Sequence, residues 1–139
     1  MRLTAQKPKP STYPTELKTL GDHIRTRRLD LGLRQSDVAK LLGAYTSTVN
    51  TWEKGHFATD VRFVPKIIEF LGYDPFGAPP ATFPARLKAA RVAAGLTRRQ
   101  LAGMIRVHRG TVAEWERGEA NPLKMMRDRL CAVLAMVDP

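Results

Sequence analysis

The sequence predicts an all-α protein that contains two tandem copies of one small helical domain. A segment of 24 residues, GLRQSDVAKLLGAYTSTVNTWEKG at 32–55, aligns without a gap with GLTRRQLAGMIRVHRGTVAEWERG at 95–118. Self-similarity at a fixed offset, here 63 residues, is typical of a duplicated structural unit. Apolar residues recur at helical spacing throughout, and no segment alternates as a β-strand does. Eight positions keep the same residue in both copies: Gly32/Gly95, Leu33/Leu96, Ala39/Ala102, Thr48/Thr111, Val49/Val112, Trp52/Trp115, Glu53/Glu116 and Gly55/Gly118.

The first copy is predicted to form four short helices. Apolar residues three or four positions apart predict a helix over 20–31, and Gly32 follows it as a natural cap. The same spacing predicts helices over 35–42 and 46–52. A fourth helix is predicted over 63–71, with a proline in its first turn, where a missing N–H costs nothing.

The second copy repeats this order of helices. Helices are predicted over 84–94, 98–105 and 109–115, and Asn121-Pro122 is predicted to open a last one. The apolar residues of this last helix fit a single stripe that would face a core: Leu123, Met126, Leu130, Val133, Leu134 and Val137.

Proline-containing segments set the predicted domain boundaries. Residues 1–18 carry three prolines and four basic residues, which predicts an extended basic arm. Residues 74–82, DPFGAPPAT, predict a linker rich in proline. We therefore expect one helical domain over 19–73 and a second over 83–139.

The composition favours an intracellular protein that binds a polyanion. The net charge is +10, and residues 76–139 contribute +6 of it, as eleven basic side chains against five acidic ones. Such a basic surplus is typical of proteins that bind nucleic acid. No apolar run could span a bilayer or act as a signal peptide, so we expect no membrane association and a cytoplasmic location. One cysteine and three scattered histidines predict neither an internal disulfide nor a zinc site.

Two short helices joined by a tight turn form a helix-turn-helix, and the repeated unit resembles the Cro/phage-repressor family, also called the XRE family. The first helix of each copy ends in Arg-x-x-x-Gly-Leu, an alanine follows at the expected helix crossing, and the next helix reads Thr-Val-x-x-Trp-Glu-x-Gly. In the first copy the resemblance continues through Arg62, Phe63, Pro65 and Leu71-Gly72. It covers nearly all of 19–75 and most of 84–137. It implies a bacterial or phage-type DNA-binding protein. The helical spacing of Val49 with Trp52, and of Val112 with Trp115, separately predicts both tryptophans in the cores rather than stacked on bases.

The resemblance also implies roles for individual side chains. Arg28 with Glu53, and Arg91 with Glu116, match the family's partly buried ion pair between the first and third helices. The third helix of each domain lies in the major groove of DNA, while the second crosses the backbone. This implies that the base-facing residues are Thr46, Ser47, Asn50 and Thr51 in the first copy, and Arg109, Gly110, Ala113 and Glu114 in the second.

Arg109 could donate to guanine and Glu114 could accept from cytosine, whereas the base contacts of Gly110 and Ala113 are weaker candidates. Gln35 matches the family's phosphate-contacting glutamine, and Arg98 stands at its place in the second copy. Arg62 could contact either a phosphate or the adjacent minor groove. Further phosphate contacts are expected from Lys54, Arg99 and Arg117.

Three positions depart from the family's pattern. Tyr45 and His108 replace the serine or threonine that usually caps the third helix, which predicts a loss of about 1 kcal/mol of capping. The turn glycine Gly43 becomes Arg106 in the second copy, which predicts either another turn or backbone strain. Gly110 lies within the second reading helix, at a cost of about 1 kcal/mol.

These features predict a sequence-specific regulator of transcription, most simply a repressor, with no enzyme activity and no cofactor. Nine linker residues span at most about 30 Å, near the roughly 34 Å between half-sites one turn apart. Because the copies differ at every proposed base contact, we expect an asymmetric site. An antitoxin that also binds a toxin, an architectural or recombination accessory protein, and a protein-only adaptor are the alternatives. A homodimer also stays open, through Met125, Cys131 and Met136.

Overall fold

In the computed structural model, which describes residues 13–56, 60–77 and 80–135, every regular element is helical, and the all-α prediction is confirmed. The helices are α1 (Leu20–Asp30), α2 (Gln35–Leu42), α3 (Thr46–Glu53), α4 (Val64–Leu71), α5 (Phe83–Ala93), α6 (Arg98–Ile105), α7 (Arg109–Glu116) and α8 (Lys124–Leu134), and a 3₁₀ turn at Val61–Phe63 precedes α4. The basic arm predicted over 1–18 lies largely outside the described residues.

The chain divides into two compact units, at residues 1–58 and 59–139. The first unit contains α1 to α3, and the second contains the 3₁₀ turn and α4 to α8. Thus α4, which the sequence analysis assigns to the first domain, belongs by its contacts to the second unit, where it packs on α5. The close contact at Gly95 gives one reason, since a Cβ built there would meet Pro65 Cγ at 2.8 Å and the Val61 carbonyl oxygen at 3.2 Å.

The first unit is built around the packing of α1, α2 and α3. Gly21 allows α1 to lie directly on the end of α3, because a Cβ at this position would come within 1.7 Å of the Trp52 carbonyl oxygen. Thr19 begins α1 with a capping box, in which its hydroxyl and the Asp22 carboxylate each accept from the other residue's backbone N–H. The core residues are those that the helical spacing brings to one face: Ile24, Val38, Ala39, Leu42, Val49 and Trp52.

The second unit repeats this packing with α5, α6 and α7, and α8 adds a further layer against α6. Pro122 is buried, but α8 begins at Lys124, and Leu123 is 77% exposed rather than part of the predicted apolar stripe. Leu123 adopts an extended conformation as the N-cap, so it lies outside the helical periodicity. Val137 of that stripe lies outside the described residues. The core contains Phe83, Leu87, Leu101, Ala102, Ile105, Val112, Trp115, Leu130 and Leu134.

The turn between α6 and α7 decides between the two alternatives predicted for Arg106 and contradicts the prediction for His108. Arg106 takes the left-handed conformation (φ 61°, ψ 50°) that Gly43 takes in the first unit (φ 69°), so the turn is kept and the strain is accepted. The predicted loss of a cap is wrong for His108, because its imidazole Nδ1 accepts from the Gly110 backbone N–H at 2.9 Å. A ring nitrogen replaces the usual hydroxyl. Tyr45, in contrast, makes no side-chain cap.

Candidate DNA-binding surface

The second and third helices of each repeat form a helix-turn-helix with one buried face and one exposed face. In the first unit α2 packs on α3, and in the second α6 packs on α7. Val49 and Trp52 fix the inner face of α3, and Val112 and Trp115 do the same for α7, since all four are at most 5% exposed. The remaining faces of α3 and α7 are therefore available to a ligand, and the core determines which side chains they present.

A bidentate ion pair fixes the orientation of α3. Arg28 donates from Nε to Glu53 Oε2 at 2.7 Å and from Nη2 to Oε1 at 2.8 Å, and from Nη1 to the Leu33 carbonyl at 3.1 Å. The hydrogen bonds to Glu53 raise the pKa of Arg28 above its ordinary value. One guanidinium therefore ties α1, the turn before α2, and the end of α3 together.

The second unit has the same ion pair, in a more buried form. Arg91 donates to Glu116 at 2.7 Å and 3.2 Å, and to the Leu96 carbonyl at 2.7 Å. The side chains of Arg91 and Glu116 are only 7% and 1% exposed. Arg98 joins them, with its Nε 3.0 Å from Glu116 Oε1. Two guanidinium groups thus share one buried carboxylate at the end of α7.

The two residues predicted to contact phosphates from the second helix are oriented by these carboxylates. Gln35 donates to Glu53 Oε1 at 3.3 Å, and Arg98 donates to Glu116 from Nε alone. Arg98 is 45% exposed at its side chain, and a guanidinium has five N–H donors in all. The Glu116 carboxylate therefore holds the Arg98 guanidinium in position, and the remaining N–H donors of Arg98 are available to a phosphate.

The outward face of α3 is neutral and rich in hydroxyl groups. Thr46, Ser47 and Thr51 are exposed, and Asn50 is half-buried. The Thr51 hydroxyl donates to the Ser47 carbonyl at 2.9 Å, so it is available to DNA mainly as an acceptor. This face offers hydrogen bonds without a net charge.

The outward face of α7 carries one basic and one acidic side chain and adjoins basic residues of α5 and α6. Arg109 and Glu114 are exposed, while Gly110 and Ala113 are half-buried. Arg109 and Arg99, from the first turns of α7 and α6, both line two grooves of about 650 and 620 Å³. The geometry thus brings together a predicted base contact and a predicted phosphate contact.

Lys88 is a basic residue of this surface that the sequence analysis missed. It is exposed on α5 and lines the larger groove together with Arg98, Arg99 and Arg109. Residues three apart on a helix share a face, and Lys88 precedes the ion-pair residue Arg91 by three. That spacing is the signal that could have identified it.

Of the three cations near the helix ends, two are paired with neighbouring carboxylates. Arg62 contacts Asp60 at 2.8 Å and lies over the ring of Phe63. Arg117 forms two hydrogen bonds with Glu119, at 2.9 and 3.0 Å, which raise the pKa of Arg117 and lower that of Glu119. Exposed ion pairs of this kind contribute little to stability, so a phosphate could replace either carboxylate. Lys54 is exposed at the end of α3.

Within the described ranges, no group of three or more His, Cys, Asp or Glu side chains could hold a metal ion. In those same ranges, no helix is long and apolar enough to cross a membrane.

A helix-turn-helix family model matches the chain twice, at residues 24–77 and 87–137. No curated protein and no solved structure matches the chain significantly. The matched residues include both turns, both reading helices and both Arg–Glu pairs, and together they cover about three quarters of the chain. Domains of this kind bind DNA and act in transcriptional regulation. The chain belongs to the Cro/phage-repressor-like, or XRE, helix-turn-helix family and carries its DNA-binding domain in two tandem copies.

Proposed function

We propose that the protein is a sequence-specific double-stranded DNA-binding repressor that reads bases with α3 and α7. The observation that carries this proposal is the pair of exposed reading faces, each fixed from behind by a buried Arg–Glu pair. Base recognition requires side chains held in a defined position. The buried ion pairs hold the backbone of both reading helices in place, which supports the proposal more than a basic surface alone would.

The two faces suggest different shares of the binding free energy. The face of α7 lies among Lys88, Arg98, Arg99 and Arg109, whereas that of α3 carries hydroxyl and amide groups. Contacts to phosphates supply most of the salt-dependent affinity, and contacts to base edges supply sequence discrimination. We infer that the second unit contributes most of the electrostatic attraction. The first unit recognises base edges through uncharged hydroxyl and amide groups.

We further propose an asymmetric binding site. At the four reading positions of the repeat, the first copy has Thr46, Ser47, Asn50 and Thr51, and the second has Arg109, Gly110, Ala113 and Glu114. Two different sets of donors and acceptors recognise two different half-sites. The boundaries predicted from the repeat, 19–73 and 83–139 with a linker at 74–82, belong to the same proposal as functional units with one reading helix each. By its contacts alone, α4 belongs to the second compact unit.

The test is a titration of the full chain against genomic fragments, including its own upstream region, at several salt concentrations. Arg109→Ala should weaken binding to the preferred fragment by about 1–3 kcal/mol and relax specificity at one base pair. Arg99→Ala should weaken binding to all fragments alike and reduce the salt slope by about one. Arg129→Ala, which removes the same charge from an exposed position on α8, is the matched control and should change neither.

The outcome separates the proposal from its competitors. Tight binding to one fragment, together with lower transcription from it, supports a repressor. Equal binding to all fragments would instead indicate an architectural protein. No binding to any fragment would contradict the proposal and favour a protein partner.

A further inference from the structure

The larger groove of the second unit has the size and chemistry of a ligand site. Its volume is about 650 Å³, within the roughly 300–1,000 Å³ usual for small-molecule pockets. Residues of α5, the first turn of α6, α7 and the 3₁₀ turn line it. We call it the basic groove.

The lining of the basic groove carries a surplus of positive charge. Five cationic side chains line it, and the buried carboxylate of Glu116 pairs with two of them. Among the described residues, no carboxylate pairs with the other three. The surplus of about four positive charges therefore suits a ligand with several negative charges in a small volume. The five cations are Lys88, Arg91, Arg98, Arg99 and Arg109.

Apolar atoms form another part of the wall. Val92 of α5 and Ala113 of α7 line the groove, and Val61 of the 3₁₀ turn completes this part. The Val61 carbonyl and the Pro65 ring both lie close to Gly95, so the 3₁₀ turn packs against the end of α5. A ligand that was only an inorganic anion would leave these apolar groups in contact with water, whereas an organic group could cover them.

The first copy lacks the same set of charges. The positions 63 residues before Lys88, Arg98, Arg99 and Arg109 are Arg25, Gln35, Ser36 and Thr46, so only one of the four is basic. The groove chemistry is thus specific to the second copy. The first copy serves as an internal control for any general attraction of anions.

We propose that the basic groove binds a small organic polyphosphate, with its phosphates on the arginine and lysine side chains and its organic group against Val61, Val92 and Ala113. Because Arg99 and Arg109 belong both to this groove and to the proposed DNA-binding surface, the ligand competes with DNA and acts as an inducer. The competition rests on the proposed function, whereas ligand binding does not.

The experiment is a ¹H–¹⁵N NMR titration of the full chain with ATP as the probe, at constant ionic strength. Saturable one-to-one binding is expected, with shifts confined to α5, α6, α7 and the 3₁₀ turn. Lys88→Ala should weaken ATP binding at least fivefold, and Arg129→Ala should leave it unchanged. Inorganic pyrophosphate and adenosine should each bind at least fivefold more weakly than ATP, because pyrophosphate lacks the organic group and adenosine lacks the phosphates.

Val61→Ser tests the apolar wall without removing a charge. It should weaken ATP binding several-fold and leave DNA binding in the absence of ATP unchanged, with an unaltered spectrum as evidence of folding. Shifts that do not saturate, shifts spread equally over the first copy, equal affinity for pyrophosphate, or insensitivity to Lys88→Ala and Val61→Ser would each overturn the inference.

DNA binding is measured on the same samples without ATP, so that the two proposals fail separately. DNA binding with no ATP binding overturns only the ligand site. ATP binding with no DNA binding overturns the proposed repressor and leaves the groove as a ligand site. If both bind, ATP should release DNA from the wild type at lower concentrations than from Val61→Ser, and equal release from both would overturn the competition.

Discussion

Removing the charge of Glu116 should destabilise the second unit more than any exposed substitution. Glu116→Gln keeps the shape of the side chain but leaves Arg91, only 7% exposed at its side chain, without a counter-ion. Breaking a buried ion pair on one side costs about 3–5 kcal/mol. Whole domains are stable by only about 5–15 kcal/mol, so the variant should lose a large part of its stability.

The melting temperature should fall accordingly. For a domain of 60–100 residues, 1 kcal/mol shifts Tm by roughly 4–8 °C, so a fall of at least about 12 °C is expected for the second unit. Glu53→Gln should cost less in the first unit, because the side chain of Arg28 is 13% exposed and so remains partly hydrated. Arg98→Ala should cost at most about 1 kcal/mol, since this partner of Glu116 is 45% exposed.

Urea denaturation followed by tryptophan fluorescence measures this effect. The chain has two tryptophans, so a Trp52→Phe background leaves Trp115 as the only reporter, in the core of the second unit. The reasoning would be refuted if Glu116→Gln cost less than 1 kcal/mol, or no more than Arg98→Ala. In that case the buried pair would be dispensable for the position of α7.

Substitutions at four further positions test local features of the fold. Arg106→Gly should stabilise the second unit by about 1 kcal/mol in urea denaturation, because glycine adopts φ 61° without strain; a loss of stability would contradict this. His108→Ala should cost about 1 kcal/mol of capping and His108→Ser should restore it, whereas equal stability of all three proteins would show that the imidazole cap contributes nothing. Gly21→Ala should destabilise the native state by more than the roughly 1–3 kcal/mol usual for overpacking, because its Cβ would lie 1.7 Å from the backbone oxygen of Trp52 and the two helices would have to move apart; an unchanged or higher Tm would disprove that contact. The Arg34 backbone N–H lowers the pKa of Asp37, so the ionised carboxylate stabilises the fold at neutral pH, and this stabilisation is lost as pH falls through the lowered pKa. The Tm difference between wild type and Asp37→Asn should therefore shrink in acid. A constant difference would contradict this.

Much of the fold could be predicted from the sequence because its signals are local. The bounds predicted for α2 and α6 agree with the structure, and the other predicted helices differ mostly by one or two residues at their ends. Apolar spacing identified both tryptophans as core residues. The last helix was placed less well, because a buried Pro122 and an extended Leu123 precede it.

The candidate DNA-binding surface was predictable only in part. The resemblance placed Arg109 and Arg99 on it, and the structure brings both to the same grooves. The resemblance did not indicate Lys88, whose place on the surface depends on how α5 packs against α7. Whether these side chains contact DNA stays a prediction.

The sequence by itself determined the fold class, the duplication and the family, because periodic apolar residues and a fixed repeat offset do not depend on distant contacts. Only the tertiary structure decided that His108 caps α7, that Arg98 shares the carboxylate of Glu116, and that α4 packs on α5. Each of these depends on a distance between groups or on a backbone angle, and residue type and spacing leave both undetermined.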